Sequence, residues 1–74
     1  MREIKVNTKY RHFKGTEVIV IAIAKDSETL KKVVVYAHVD TNETWVRPYD
    51  EFISPVDKDK YPEVEQEYRF EEII

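Results

Sequence analysis

The longest apolar run of this chain lies between Glu17 and Lys25 and consists of valine, isoleucine and alanine. Its short length and β-branched composition favour a strand over a helix. Because both faces of the run are apolar, the strand should be covered on both sides, or bend so that its halves reach different parts of the core. The pattern predicts the central strand of the fold.

Two further strands are predicted after a polar turn at residues 26–29. Residues 33–39 alternate with the period of two that a half-buried strand requires. The short reversal that follows contains Asn42, the residue there best able to take a left-handed conformation. Thr44 to Arg47 then forms an antiparallel strand, which Pro48 ends because proline cannot donate to a ladder.

The two ends of the chain complete the predicted sheet. Residues 3–6 are expected to form a strand at the front, and residues 50–53 one helical turn that directs Phe52 inward. Near the carboxyl end, Tyr68 and Phe70 alternate as in a strand, while the surrounding glutamates would also suit a helix, and we favour the strand.

These elements predict one all-β domain over residues 1–74, a small barrel of about five antiparallel strands with at most a short helical turn. The apolar run is far shorter than the ~20 residues of a spanning helix, and the polar amino terminus does not resemble a signal peptide. The chain contains no cysteine, so disulfides and thiolate sites are excluded, which suits a reducing compartment. We expect a cytoplasmic protein without membrane contact.

Charge is distributed unevenly along the chain. Residues 1–14 carry a net charge of +4 and residues 51–74 a net charge of −5, within a total of −3. The basic and acidic segments could attract each other across a small domain, or the basic segment could engage phosphates. Two solvated faces are the simpler explanation.

Catalysis, metal binding and cofactor binding find little support in the sequence. Ser27, Ser54 and the threonines lie outside any nucleophile-elbow spacing, and one glycine cannot build a phosphate-cradling loop. His12 and His38 lack metal-ligand spacing, although either could act as an acid or base with a carboxylate. We therefore predict no enzyme, no metal and no cofactor, and keep a His-dependent enzyme as the third hypothesis.

Flat and basic side chains concentrate in two places, before the central strand and on the hairpin after it. The residues singled out as a binding surface are Trp45, Arg47, Tyr36, His38, Tyr10 and His12. If those of the hairpin point the same way, they form an aromatic and cationic surface that suits bases or proline-rich peptides. The same aromatic residues could instead form the core of so small a fold, and for Trp45 and Tyr36 both interpretations stay open.

Several short motifs occur in a fixed order along the chain. They are Tyr10-Arg11-His12-Phe13-Lys14-Gly15, Ala24-Lys25 with Ser27-Glu28-Thr29, Val34-Val35-Tyr36, Trp45-Val46-Arg47-Pro48 with Phe52, and Arg69-Phe70. In this order they resemble the bacterial family catalogued as domain of unknown function 1653. The resemblance implies an SH3-like small β-barrel and brings no established activity, cofactor or partner. Asp26 stands where the family frequently has histidine, which weakens any mechanism that needs a histidine in that turn.

The choice of partner follows from charge. An acidic total and the lack of a basic stripe disfavour nucleic acid, because phosphate neutralisation supplies most non-specific affinity. A protein or peptide partner needs no positive net charge. We therefore predict a protein or peptide interaction module, with binding of single-stranded nucleic acid as the second hypothesis.

Overall fold

The fold is an antiparallel β-sheet with one helical turn, seen in a computed structural model that describes residues 3–73. The elements are β1 (Thr8–His12), β2 (Glu17–Lys25), β3 (Lys32–His38), β4 (Thr44–Pro48), α1 (Tyr49–Phe52) and β5 (Phe70–Glu72). The strands lie in the order β4-β3-β2-β1-β5. The predicted all-β class, with five antiparallel strands and one short helical turn, is confirmed. Residues 1, 2 and 74, which belong to the predicted basic and acidic segments, lie outside the described residues.

The sheet is open, because its edge strands β4 and β5 do not pair with each other within residues 3–73. Aromatic packing spans the inner face between them. The ring of Phe52 in α1 stacks on that of Phe70 in β5, with centroids 4.1 Å apart and planes 3° from parallel. The SH3-like barrel stays what the resemblance implies, while the structure itself shows an open five-stranded sheet.

The predicted central strand is confirmed over Glu17–Lys25, where β2 pairs with β1 on one side and with β3 on the other. Its register with β3 shifts after Val20, so that Ile21 has no partner residue in β3. Such a bulge bends the strand and increases its twist. The bend is one of the two solutions expected of a strand that is apolar on both faces.

The first strand lies later in the chain than the sequence pattern predicts. Residues 3–5 adopt no regular structure, and β1 begins at Thr8, directly after Asn7 with a φ of 58°. Tyr10 pairs with Val18 of β2 and buries its ring, and this burial fixes β1 where it is. The prediction of a strand over residues 3–6 is therefore wrong, because that segment contributes only Ile4 to the margin of the core.

At the carboxyl end the favoured strand is confirmed as Phe70–Glu72, which pairs with β1. Tyr68 forms only an isolated bridge with Pro55. Lys5 and Glu72 form an exposed ion pair with Nζ and Oε1 3.3 Å apart. The basic and acidic ends of the chain thus meet at the β1–β5 edge, in a contact that contributes little stability at such exposure.

The core consists of residues from every strand except β4, together with α1 and the segment after it. Its buried side chains are Tyr10, Val18, Val20, Val34, Tyr36, Phe52, Val56 and Phe70. The expectation that Phe52 points inward is confirmed, since its ring is fully buried. Phe13 is half-buried and packs against the ring of Tyr61 with centroids 4.9 Å apart.

Within the described residues, three non-glycine residues have left-handed backbones, Asn7, Leu30 and Asn42, and the last two make a testable pair. Asn42 has a φ of 61°, as its side chain predicts, whereas Leu30 has a φ of 62° with 70% of its surface exposed. Leucine pays a steric penalty there that asparagine largely avoids. Leu30→Asn is expected to raise the free energy of unfolding by about 0.5–1 kcal/mol in urea titrations. Asn42→Ala should lower it, and a destabilised Leu30→Asn variant would contradict this account of the turn.

Candidate binding site

Four of the six residues predicted to form a binding surface share the inner face of the sheet at its β3–β4 end. Tyr36 pairs with Trp45, and Arg47 pairs with Val34, two residues before Tyr36 on the same strand. Directly opposed residues of antiparallel strands point to the same side, and so do residues two apart. His38 follows Tyr36 by two positions and joins the same face. The register thus places these aromatic and cationic groups on the face that carries the core.

A cavity of about 170 Å³ opens on this face. Among the predicted residues, His12, Tyr36, His38 and Arg47 line it. A second concavity of about 440 Å³ shares His12 and Arg47 with the first, together with Lys14, so the two adjoin. We call the two together the binding depression.

The other two predicted residues, Trp45 and Tyr10, do not line either concavity. Trp45 is 49% exposed and contacts the ring of His38 at a centroid distance of 5.9 Å, outside the walls of either concavity. Tyr10 is only 2% exposed, its hydroxyl accepts a hydrogen bond from the Lys5 amide at 3.0 Å, and its ring meets Phe52 edge-on. The sequence left open whether Trp45 and Tyr36 are core or surface residues. Trp45 is a surface residue, while Tyr36 is a core residue that also lines the cavity. Tyr10 is a core residue, so the prediction that it contributes to a binding surface is wrong.

His12 is held in one orientation at the junction of the two concavities. Its Nδ1 accepts a hydrogen bond from the Lys14 amide at 3.1 Å, and its ring stacks on Phe13 and meets Phe70 edge-on. Burial, followed by the positive charges of Arg47, Arg69, Lys14 and His38, lowers the pKa of His12 to about 4. The ring is therefore neutral near pH 7, and since Nδ1 is an acceptor, its proton resides on Nε2.

Arg47 lines both concavities with its hydrogen-bonding capacity incompletely used. Its side chain is 28% exposed, and Nη1 lies 3.7 Å from Oε1 of Glu51, an ion pair longer than a normal hydrogen bond. Its Nε is buried and has no hydrogen-bond partner among the described residues. The guanidinium carbon lies 5.7 Å from the ring centroid of Phe70. The Arg47 guanidinium thus lies over the ring of Phe70 and retains an N–H donor, at Nε, that no described residue accepts.

Three further cations join the site, and the sequence reasoning did not include them. Lys14 lines both concavities, and Lys60 and Arg69 line the second. The ammonium groups of Lys14 and Lys60 lie 5.6 and 5.5 Å from the ring centroid of Tyr61. Lys14 and Arg69 belong to motifs on which the family resemblance rests. That resemblance is the signal in the sequence that could have identified them. Lys60 and Tyr61 lie between α1 and β5 in the chain, and only the fold brings them to β1.

The binding depression is a positively charged spot on an acidic protein. Asp57 also lines the second concavity, but its Oδ1 already accepts the amides of Asp59 and Lys60 within its own turn. Concave walls of low dielectric concentrate the field of several like charges. The arrangement therefore favours an anionic group, flanked by aromatic surface.

Two other kinds of feature were sought in the described part of the chain. Within residues 3–73, no group of three or more His, Cys, Asp or Glu side chains is placed to hold a metal ion. No helix there has the length and apolar character needed to cross a membrane.

The fold and the site together define a small all-β protein with a cationic, aromatic-edged depression on the inner face of its sheet. The chain belongs to the family described as protein of unknown function (DUF1653), whose model matches residues 8–72. The match spans β1 to β5 and includes the residues of the binding depression. Neither a curated protein nor a solved structure matched the chain significantly.

Proposed function

We propose that this protein is an interaction module that binds a protein or peptide segment at the binding depression and the neighbouring ring of Trp45. The observation that carries the proposal is an exposed Trp45 beside the concavity that Arg47 lines. Tryptophan and arginine are enriched among the residues that dominate binding energy at protein interfaces. Trp45 also lies on the edge strand β4, where an extended segment can approach the sheet.

The size of the cavity supports a peptide side chain as the bound group. Small-molecule sites usually occupy about 300–1,000 Å³. The first cavity, at about 170 Å³, is smaller than that range and suits one anchoring side chain, while the adjoining concavity of about 440 Å³ lies within the range and leaves room for neighbouring parts of the segment. In this proposal the depression binds and does not catalyse.

The proposal predicts that Trp45→Ala weakens peptide binding about tenfold or more, because the ring is an exposed anchor of the site. Short random peptides displayed on phage would be selected on the folded protein, and synthetic copies titrated by calorimetry. Val46→Ala is the matched control, since Val46 is the next residue of β4, is 59% exposed and points to the opposite face. Failure to select any peptide, or equal losses in the two variants, would contradict the proposal.

Single-stranded nucleic acid is the second candidate, and one observation favours it. Lys14 and Lys60 flank the ring of Tyr61, an arrangement in which a base could stack while the lysines neutralise phosphates. Electrostatic affinity for oligonucleotides is greatest at low salt. Absence of oligonucleotide binding at low salt would eliminate this candidate.

A further inference from the structure

We infer that the binding depression recognises a carboxylate, and that its occupant is a peptide segment whose acidic side chain enters the cavity between His12, Lys14 and Arg47. The inference rests on the proposed interaction function and adds the chemistry of the bound group. Three independent features carry it: the unused donors of Arg47, the fixed proton of His12 and the local excess of positive charge.

Arg47 is the principal donor to the carboxylate. Its only ion pair within the described residues is the 3.7 Å contact with Glu51, and its buried Nε has no partner there. An unpaired buried donor is costly, whereas a planar guanidinium matches a carboxylate closely. A carboxylate in the cavity would offer acceptors to the part of this side chain that lines it, whose one ion pair among the described residues is long.

His12 supplies a neutral donor at the same place. The hydrogen bond from the Lys14 amide to Nδ1 selects the tautomer with its proton on Nε2. His12 lines both concavities together with Arg47, so an anion in the depression would meet a charged and a neutral donor. Lys14, which lines both as well, adds an ammonium group to the same wall.

The charge around the depression favours one carboxylate over an extended polyanion. The depression itself gathers Lys14, Arg47, Lys60 and Arg69. Residues 51–74 carry a net charge of −5 although they include Lys60 and Arg69 of the depression, and the whole chain carries −3. A single carboxylate needs only the cations of the depression, where Asp57 is engaged within its own turn, whereas successive phosphates of a nucleic acid would extend over the acidic remainder of the chain and be repelled by it.

The test compares acidic and amide peptides that are otherwise identical. Peptides selected on the folded protein from a phage library with a fixed central Glu are synthesised with Glu or Gln at that position, all with amidated carboxyl ends. We expect the Gln peptides to bind about tenfold or more weakly. We also expect Arg47→Gln to weaken the Glu peptide by a similar factor and to abolish the difference between the two peptides, as coupled partners do.

Arg11→Gln is the matched control, because Arg11 lies on β1 with its side chain on the outer face, where it pairs with Glu17. It should leave both affinities unchanged. A Gln peptide without an amidated end that binds as well as the Glu peptide would keep the carboxylate as the bound group but overturn its assignment to a side chain.

The outcomes separate this inference from the proposed function. Equal affinity of Glu and Gln peptides, with binding still lost in Trp45→Ala, overturns the carboxylate inference and leaves the interaction function standing. Because the peptide exchange leaves the protein untouched, this result holds even if Arg47→Gln unfolds. Absence of any peptide binding overturns both, and binding of an oligonucleotide in place of peptides overturns the choice of partner.

Discussion

Replacing Phe52 with alanine is expected to lower the free energy of unfolding by about 3–5 kcal/mol. The ring is fully buried, stacks on Phe70 at 4.1 Å, and lies 5.6 Å from the rings of both Tyr10 and Tyr36. Small proteins have only about 5–15 kcal/mol of stability in total, so this loss would remove a large fraction of it.

Urea unfolding followed by circular dichroism measures this loss, with Val46→Ala as the control on the exposed outer face. Surface substitutions of that kind usually change stability by no more than about 0.5 kcal/mol. A Phe52→Ala variant as stable as the parent protein would contradict the packing of α1 against the sheet.

Stability is also expected to fall as the pH drops from about 6.5 towards 4, by about 2 kcal/mol, because of His12. The unfolded chain binds a proton at this histidine below its ordinary pKa of 6.5, whereas the folded protein keeps it neutral until about pH 4. The unfolded state thus binds more protons in this window, so the stability is fully present above pH 6.5 and is lost on acidification. The figure allows for solvent screening of a half-buried ring.

The check is the difference in unfolding free energy between the parent protein and His12→Gln across this pH window. Carboxylates titrate in both proteins and cancel in the difference, so the remaining slope belongs to His12. Identical pH profiles of the two proteins would contradict burial of His12 among the cations of Arg47, Arg69 and Lys14.

The sequence predicts well the strands in which apolar residues alternate with polar ones or form an unbroken run. Glu17–Lys25 is long and apolar, and its bounds follow from the pattern alone. β1 was missed because Thr8–His12 contains mostly polar residues, with only the Tyr10 ring buried. The position of β1 is set by its pairing with the neighbouring strands, and a local sequence pattern carries no information about that pairing.

The candidate site was predicted in part, for a similar reason. Period-two alternation places Tyr36, His38, Trp45 and Arg47 on one face, because strand geometry is local. That Lys60 and Arg69 reach His12 depends on how residues 53–69 return to β1, which no spacing in the sequence encodes. The burial of Tyr36 and the exposure of Trp45 likewise depend on position in the sheet, since Tyr36 lies on an inner strand and Trp45 on an edge.

The most direct test of the central claim is a nuclear magnetic resonance titration of the protein with a selected Glu-centred peptide. We predict that the largest shift changes fall on His12, Lys14 and Arg47 and on the indole N–H of Trp45. The binding depression would be contradicted by changes confined to Val35 and Val46 on the outer face.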